Sequence, residues 1–509
     1  MKRILSFLLL ITVLFTLLGC QSEDDSETTV QRKQRSNTVA LTIGEHQLNN
    51  AEMTYYYRYA INYLLQSCGG SIETANSLFG VDLYQPLDQQ KYYDEDRMWS
   101  DYFIEEAIDL AVSDYTMADL ATAEGYTMRD DEVAALEYEL QLIEDQAQMC
   151  GYPDTDEYVQ AYYGKGSDYK SFVVFLRRNA LAESYRKYMA ENFPVPEESI
   201  TKKNTENFDK YSSFSYNYYD IPFNKYLTAD ENAAEAAAKE AAELLAKATT
   251  AEEFDKAIAE LAFNKELETA PKSIAQTNVL YDSVPEKYRE WIAENHKPGD
   301  TTIVDLVSAN YTDDTSTETV TGYTVVLFVD RNDNYENLND VRQIFVALPE
   351  DPVYGGTANN AEAYEVAKQE AEAILAEWRY RGAREEDFAN LAAERSDDQT
   401  AEKGLYENIS RYDNYPSEFF SNQARAWAVD PNRLTGDVDI VESDIGYHIL
   451  FYVDKSADTY RIHAIKTELR TALYENWYND LISNAKQGVK QGNLTKLDVS
   501  TPPFAKPEH

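Results

Sequence analysis

The sequence predicts an α+β protein with an N-terminal helical domain, two tandem α/β domains and a returning helix. Apolar residues recur at helical spacing through most of residues 38–200. The stretches GYTVVLFVD at 322–330 and GYHILFYVD at 446–454 have nearly the same sequence, which indicates a duplicated unit. A last helical pattern at 456–491 has no such copy. We therefore expect this C-terminal helix to pack on the N-terminal domain.

Residues 1–20 are predicted to be a lipoprotein signal peptide. A short basic head precedes the apolar run 4–18, which is too short to cross a bilayer comfortably. The run ends in Leu-Leu-Gly-Cys20, which resembles a bacterial lipobox and implies cleavage before Cys20 and a lipid on that cysteine. The mature protein is then extracytoplasmic and lipid-anchored to the bacterial cell membrane. The alternative is an ordinary cleaved signal peptide with an incidental cysteine.

The charge of the chain restricts its partners. Asp and Glu total 90 against 46 Lys and Arg, for a formal net charge of -44, which argues against nucleic acid or an anionic lipid surface as a partner. The polar stretch 21–37 carries too little apolar surface to fold and is predicted to be a flexible linker. The acidic residues lack the spacing of a calcium loop. With 5 histidines and no zinc-protease, hydrolase or phosphate-loop motif, we expect no metal site and no cofactor.

Two further cysteines, Cys68 and Cys150, fall in the same predicted domain. Outside the cytoplasm two such cysteines either pair or remain thiols, and many exported bacterial proteins leave them reduced. Both outcomes stay open at this point, with a Cys68–Cys150 disulfide as the hypothesis to test.

The predicted elements follow one another in a clear order. The helical domain 38–200 contains a first helix capped by Asn50 and ends near a Pro-Val-Pro breaker. Residues 204–334 form the first α/β unit, with a strand, an alanine-rich helix, a Gly-Asp pair and the closing strand. Residues 339–455 repeat this order. The tail 492–509 contains three prolines and is predicted to be disordered.

The second unit resembles the parvulin-type peptidyl-prolyl isomerases. The stretches VRQIFV, EEDFANLAAERSDD, YPSEF and SDIGYHIL follow the family's conserved segments in the same order across the unit. The whole layout is similar to the PrsA-type extracellular foldases and the periplasmic SurA chaperone. The resemblance implies two parvulin-like domains on a chaperone-like helical domain. It also implies a membrane-anchored foldase that binds unfolded or newly exported polypeptides. The alternative is a non-catalytic holdase with degenerate parvulin domains.

The resemblance also implies a pocket for proline. Phe419 matches the aromatic floor of the family's pocket, Leu405 matches an apolar wall, and Tyr415 stands where a methionine often lines the pocket. Rotation about an X-Pro bond is slow because of amide resonance, and its catalysis requires a shaped pocket and polar groups rather than a reactive nucleophile. Taken alone, Phe419 and Leu405 are also compatible with ordinary core positions.

The polar part of the implied site consists of four residues. His448 matches the histidine of the closing strand, Ser443 its hydroxyl neighbour, and Asp398 the Cys-or-Asp position after Ser-Asp. Gln343 replaces the family's first histidine, and its amide still donates and accepts hydrogen bonds. The oligomeric state is not determined by these patterns.

The first unit departs further from the family. Tyr216 is aligned with Gln343, Thr324 with His448 and Tyr288 with Phe419. We therefore interpret residues 204–334 as a non-catalytic copy. Its aromatic side chains either bind unfolded polypeptide or pack in its own core.

Overall fold

The computed structural model describes residues 38–504 apart from the short segments 94–95, 165–166, 227–230, 266, 313–314, 350–359, 413–416, 495–496 and 498. The predicted signal peptide and linker, the lipidation residue Cys20 and the pocket residue Tyr415 therefore lie outside the described residues. The described chain mixes helix and strand, in agreement with the predicted α+β class.

Helices dominate the first part of the chain and flank the sheets in the second. Among the described residues, no helix is both long enough and apolar enough to cross a bilayer. In chain order they are α1 (Asn50–Ser67), α2 (Ile72–Phe79), α3 (Trp99–Ala123), α4 (Asp130–Met149), α5 (Thr155–Tyr163), α6 (Tyr169–Asn192), α7 (Glu197–Glu206), α8 (Glu231–Leu245), α9 (Ala251–Ala259), α10 (Glu286–Ala293), α11 (Ala361–Arg381), α12 (Glu385–Arg395), α13 (Asn422–Ala428) and α14 (Tyr460–Gln487).

The strands form three antiparallel sheets. The strands are β1 (Val39–Ile43), β2 (His46–Asn49), β3 (Ser213–Pro222), β4 (Ile274–Leu280), β5 (Thr301–Thr312), β6 (Thr315–Asn332), β7 (Asn337–Ala347), β8 (Leu405–Ile409), β9 (Val438–Glu442), β10 (Gly446–Thr459) and β11 (Lys490–Gln491). The first sheet has the order β11-β1-β2, the second β4-β3-β6-β5 and the third β8-β7-β10-β9.

The chain divides into two compact units, one with the residues up to Pro194 and from Arg470 onward, the other Val195–Leu469. In the first unit α1, α3 and α6 enclose a core rich in aromatic side chains. The rings of Tyr55 and Phe172 lie 5.3 Å apart in an edge contact, a favourable geometry for aromatic pairs. Burial of these large rings stabilises this unit.

The cap of helix α1 differs from the predicted Asn50. The preceding residue, Asn49, has an extended backbone, and its side chain accepts a hydrogen bond from the Glu52 amide at 2.9 Å. Glu52 in turn accepts from the Asn49 amide, which completes a capping box. Asn50 is the first helical residue, fully buried, and its side-chain amide donates to the carbonyl of Asn493 at 2.8 Å.

The last part of helix α14 packs within the first unit. Trp477, Tyr478 and Leu481 contact a cluster that contains Met117 and Tyr185. The Tyr478 hydroxyl also lies 2.7 Å from the hydroxyl of a serine on α3, Ser113. These contacts place the end of the C-terminal helix against α3 and α6.

The tail that was predicted to be disordered is ordered as far as it is described, so that prediction is wrong for these residues. Strand β11 pairs with β1, and the Gly492 amide donates to the Ala40 carbonyl at 2.8 Å. Leu497 and Phe504 are buried against the first core. Arg58 donates to the Pro503 carbonyl at 2.8 Å. The prolines prevent helix formation, yet they leave these apolar side chains available to cover the core.

The structure contains no disulfide between Cys68 and Cys150, so the pairing hypothesis is not supported. Cys68 is buried at the C-terminal cap of α1, whereas Cys150 is half-buried at the C-terminal cap of α4. Each cysteine is positioned by the end of its own helix. A disulfide would also require a specific distance and orientation between the two residues.

The second unit contains two sheets with the same internal order. In each sheet the first strand of the segment, β3 or β7, pairs with the closing strand, β6 or β10. The register of these central pairs corrects the sequence alignment. Gly322 pairs with Pro222, and Gly446 pairs with Ala347. Tyr218 lies as many residues before Pro222 as Gln343 lies before Ala347. Tyr218, and not Tyr216, therefore occupies the position of Gln343. Pro222 accordingly corresponds to Ala347.

The third sheet has two differently packed faces. Ile344 and Ile449 lie in a core with side chains of α11 and α12, such as Trp378. Val341 and Leu450 lie in a second core, on the other face, with side chains of α13. Because side chains alternate along a strand, Gln343, Phe345 and His448 share the α13 face with this second core.

Candidate active site

Two adjacent strands position the polar residues of the candidate site. Phe345 on β7 pairs directly with His448 on β10, and Gln343 lies two residues before Phe345 on the same face. Gly446 begins β10 with a φ of +148°, and a Cβ there would lie 2.2 Å from the Val346 carbonyl oxygen. The glycine of the Gly-Tyr-His motif is therefore required for β10 to approach β7 closely enough to pair.

A continuous hydrogen-bonded chain joins the four predicted polar residues. His448 Nε2 lies 2.8 Å from Ser443 Oγ, and His448 Nδ1 lies 2.8 Å from Gln343 Oε1. Gln343 Nε2 donates to Asp398 Oδ2 at 2.9 Å and to the Phe419 carbonyl at 3.1 Å. All four polar side chains are buried, with His448 fully inaccessible. The structure thus brings together Ser443, His448, Gln343, Asp398 and the backbone of Phe419.

The Ser-Asp-Asp segment after α12 delivers Asp398 to this chain. Ser396 Oγ accepts a hydrogen bond from the Phe345 amide at 3.0 Å, and the Asp397 amide donates to the Phe345 carbonyl at 2.9 Å. Asp397 Oδ2 also accepts from the Ala347 amide at 2.8 Å. These bonds attach the segment to β7, so that the next side chain, Asp398, is directed into the site.

Asp398 is held by more donors than the sequence indicated. Its Oδ1 accepts from the Thr400 hydroxyl at 2.6 Å and the Thr400 amide at 3.0 Å, and its Oδ2 accepts from the Tyr406 hydroxyl and from Gln343. The Tyr406 hydroxyl also lies 2.9 Å from Ser417 Oγ. Both carboxylate oxygens are therefore engaged within the protein, which makes Asp398 an anchor for Gln343 rather than a free base.

Burial determines the charge state of the histidine. Desolvation lowers the pKa of His448 from its ordinary value of 6.5 to about 4, although the negative charges of Asp398 and Asp444 oppose this shift. The imidazole is therefore neutral at neutral pH. Burial also raises the pKa of the Tyr406 hydroxyl to about 12, and its hydrogen bond to Asp398 adds to this effect.

An aromatic group lies beside the polar chain. The ring of Phe345 lies 5.0 Å from the His448 ring and 5.6 Å from the ring of Phe419. Phe419 is only half-buried, and its amide is held by Ser417 Oγ at 3.1 Å. Phe419 therefore presents a partly accessible aromatic surface next to a buried polar network, which fits an apolar proline ring beside its polar amide.

The structure places Leu405 away from this group. Leu405 on β8 pairs directly with Arg342, which lies on the α11 and α12 face, whereas Tyr406 pairs with Val341 on the site face. The prediction of Leu405 as a pocket wall is therefore wrong, and Tyr406 is the β8 residue that reaches the site. Sequence reasoning missed Tyr406, although its alternation with Leu405 along the strand was the available signal.

The equivalent position in residues 204–334 has different chemistry. Thr324 is fully buried, donates to Asp220 and accepts from Lys287 Nζ at 2.7 Å. Tyr216 and Tyr288 are both 2% exposed, and their hydroxyl oxygens lie 3.4 Å apart within a core cluster. Of the two alternatives for these tyrosines, the structure supports packing in the unit's own core. No histidine occupies the position of His448 here.

These features are suited to rotation about an X-Pro bond. A half-exposed aromatic ring adjoins a buried network of neutral and charged hydrogen-bonding groups, and no step requires a strong nucleophile. The described residues contain no cluster of three or more side chains able to hold a metal ion. In a site of this kind a twisted amide is stabilised by preorganised dipoles.

The buried neutral histidine predicts a specific dependence of stability on pH. Between about pH 6.5 and pH 4 the unfolded imidazole binds a proton that the folded one does not. The free energy of unfolding is therefore unaffected above this range and decreases by up to about 3 kcal/mol as the pH falls through it. Hydrogen exchange of the β7 and β10 amides at several pH values measures this loss. We expect His448→Asn to reduce the pH dependence, and an unchanged dependence would contradict the assignment.

Comparison with known proteins supports an isomerase. The protein-family model described as rotamase, a PPIC-type PPIase domain, matches residues 344–454. This range begins at the residue after Gln343 and includes Asp398, Phe419, Ser443 and His448. A search of curated proteins gives no match to the chain. Residues 344–454 therefore form a parvulin-type domain, which indicates peptidyl-prolyl cis-trans isomerase activity in this part of the chain.

Proposed function

We propose that the protein is a membrane-anchored extracytoplasmic foldase that binds newly exported polypeptides and isomerises their prolyl bonds. The observation that carries this proposal is the isomerase domain at 344–454, in which the polar chain of His448 lies beside Phe419. The lipobox-like ending at Cys20 supports the extracytoplasmic location and the lipid anchor. The client is an unfolded chain, because only such a chain exposes its X-Pro bonds freely.

We also propose that residues 204–334 are a degenerate parvulin-like domain. The supporting observation is that its sheet has the same strand order as that of the isomerase domain, with its closing strand in the corresponding register. Thr324, Asp220 and Lys287 replace the imidazole and its partners. Catalysis is accordingly assigned to residues 339–455, and residues 204–334 are assigned a role in binding or in spacing.

The helical unit is proposed to be the chaperone-like part. This proposal is supported by the division of the chain. The N-terminal helices and the end of α14 belong to one compact unit, and the two larger sheets belong to the other. The strongly negative net charge of -44 favours clients that are neutral or basic over anionic surfaces.

The decisive experiment is a prolyl isomerase assay on the intact mature protein. We expect faster cis-to-trans conversion of a proline-containing test peptide, together with suppressed aggregation of a denatured client. Suppressed aggregation without isomerisation would instead identify a holdase. Isomerisation without any effect on aggregation would contradict the chaperone role.

The anchor is tested separately by Cys20→Ser. We expect the wild-type protein to fractionate with membranes and to incorporate a labelled fatty acid. The variant loses both properties, because the thiol that carries the lipid is missing. Cys150→Ser serves as the control, since it removes a cysteine of the folded body, and we expect it to remain with the membranes. Retention of label by Cys20→Ser would contradict the lipobox assignment.

A further inference from the structure

The hydrogen bonds of Gln343 determine the position of the proton on His448. The Gln343 amide nitrogen faces Asp398 Oδ2 at 2.9 Å and the Phe419 carbonyl oxygen at 3.1 Å. Neither a carboxylate nor a carbonyl carries a hydrogen to donate, so the NH₂ group must point toward them. The amide oxygen then faces His448 Nδ1 at 2.8 Å. An amide oxygen only accepts, and therefore Nδ1 must be the protonated nitrogen.

The other ring nitrogen is determined by the same logic. A neutral imidazole with its proton on Nδ1 has an accepting Nε2. Ser443 Oγ lies 2.8 Å from Nε2 and 3.1 Å from the Gly446 carbonyl oxygen. If the serine donated to Gly446 instead, Nε2 would need a second proton, and a charged imidazole is disfavoured in this fully buried position. The hydroxyl proton therefore points to Nε2. The hydrogen bonds then run in one direction, with each group donating to the next from Ser443 to Asp398.

The groups around the ring do not change this arrangement. Strand β7 contributes Gln343 and Phe345, and β9 contributes Val441, which pairs with His448. The ionisable groups are Asp398 from the segment after α12, Tyr406 from β8 as a partner of Asp398, and Asp444 from the exposed turn before β10. Burial lowers the pKa of His448 in spite of the two carboxylates. Between neutral and mildly acidic pH the ring and the amide both stay uncharged.

We propose that Gln343 is a positioning residue that fixes the proton of His448 on Nδ1 and keeps the catalytic network in a single uncharged state of the ring. As a consequence, isomerisation proceeds at the same rate from neutral to mildly acidic pH. A histidine at position 343 offers one ring nitrogen to His448 and the other to Asp398, but it also binds a proton beside Asp398. Glutamine keeps the hydrogen bonds and removes that titration. The kinetic part of this proposal rests on the isomerase activity, whereas the position of the proton does not.

The proton position is tested by nitrogen NMR on the full mature chain labelled with ¹⁵N-histidine. The chain has only 5 histidines, and His448→Asn identifies the signal. We expect a protonated Nδ1 and an unprotonated Nε2, unchanged from about pH 8 to about pH 5. A proton on Nε2, or a titration with a midpoint above about pH 6, overturns the proposal. This measurement is informative even if no isomerase activity is found.

The kinetic consequence is tested by the pH dependence of kcat/KM. For the wild-type protein we expect less than about a twofold change between about pH 5 and pH 8. Gln343→His is expected to introduce an inflection within this range, because it adds a titrating group to the network. Gln369→His adds a histidine on the exposed face of α11 and should keep the flat profile. A flat profile for Gln343→His, or an inflection in the wild-type profile, overturns the kinetic part.

Discussion

Phe419→Ala is expected to lower kcat/KM for a prolyl test peptide by about a hundredfold. The side chain is half-buried and stacks beside Phe345 at a centroid distance of 5.6 Å, so its exposed part is the surface available to a proline ring. Loss of this apolar contact corresponds to about 2–3 kcal/mol of transition-state stabilisation. The measurement is protease-coupled or NMR-detected isomerisation by the intact mature protein.

The control for this prediction is Tyr380→Ala. Tyr380 is 92% exposed on α11, and the substitution removes an aromatic side chain of similar size. It should leave kcat/KM unchanged. His448→Ala removes the ring at the centre of the polar chain and is expected to reduce the rate through a different contact. If the Phe419 and His448 variants both keep the wild-type rate, the assignment of the site is wrong.

Arg461→Leu is expected to destabilise the second unit by about 3–5 kcal/mol. Arg461 is fully buried in the first turn of α14, and its guanidinium donates to the carbonyls of Asp333 at 2.6 Å and Phe208 at 2.9 Å. It also donates to Ser212 Oγ at 2.7 Å and Asn204 Oδ1 at 3.0 Å. A leucine fills part of the volume but removes these four hydrogen bonds, and loss of buried bonds to the Asp333 carbonyl and Asn204 Oδ1 is the costly part of the change. Ser212 Oγ keeps a donor, Arg331, at 3.1 Å.

Hydrogen exchange of the β3 amides is the appropriate measurement for Arg461, because a chain with two compact units does not unfold in one transition. We expect faster exchange in β3, which begins directly after Ser212. Arg411→Leu is the matched control, since Arg411 is 41% exposed and pairs with Glu336 at 3.3 Å. Its effect should be within about 0.5 kcal/mol. Equal effects of the two variants would contradict the role assigned to Arg461.

Much of the site was predictable because its residues belong to short motifs with strong local requirements. The Gly-Tyr-His strand needs a glycine where β10 approaches β7, and the Ser-Asp-Asp segment needs groups that bond the β7 backbone. Such requirements are visible as particular residue types at particular spacings. Ser443, His448, Gln343 and Asp398 accordingly form one connected network.

The errors arose where a side chain's direction depends on a distant strand. Leu405 and Tyr406 are adjacent in sequence, yet the pairing of β8 with β7 sends Tyr406 to Asp398 and Leu405 to the opposite face. A change of register by one residue reverses the face of every side chain in a strand. The change from Tyr216 to Tyr218 is two residues and keeps the face, yet it also depends on strand pairing, because the register between β3 and β6 decides which residue lies at each level.

The sequence by itself indicated the mixture of helix and strand, the presence of an isomerase domain and the four polar residues that form one network in the candidate site, because these depend on local periodicity and on motifs. The tertiary structure alone decided that Tyr406 anchors Asp398, that the described tail covers the helical core with Leu497 and Phe504, and that Cys68 and Cys150 are not joined. These outcomes depend on contacts between segments distant in the chain, and the energy of such a contact is set by packing and burial that no local pattern contains.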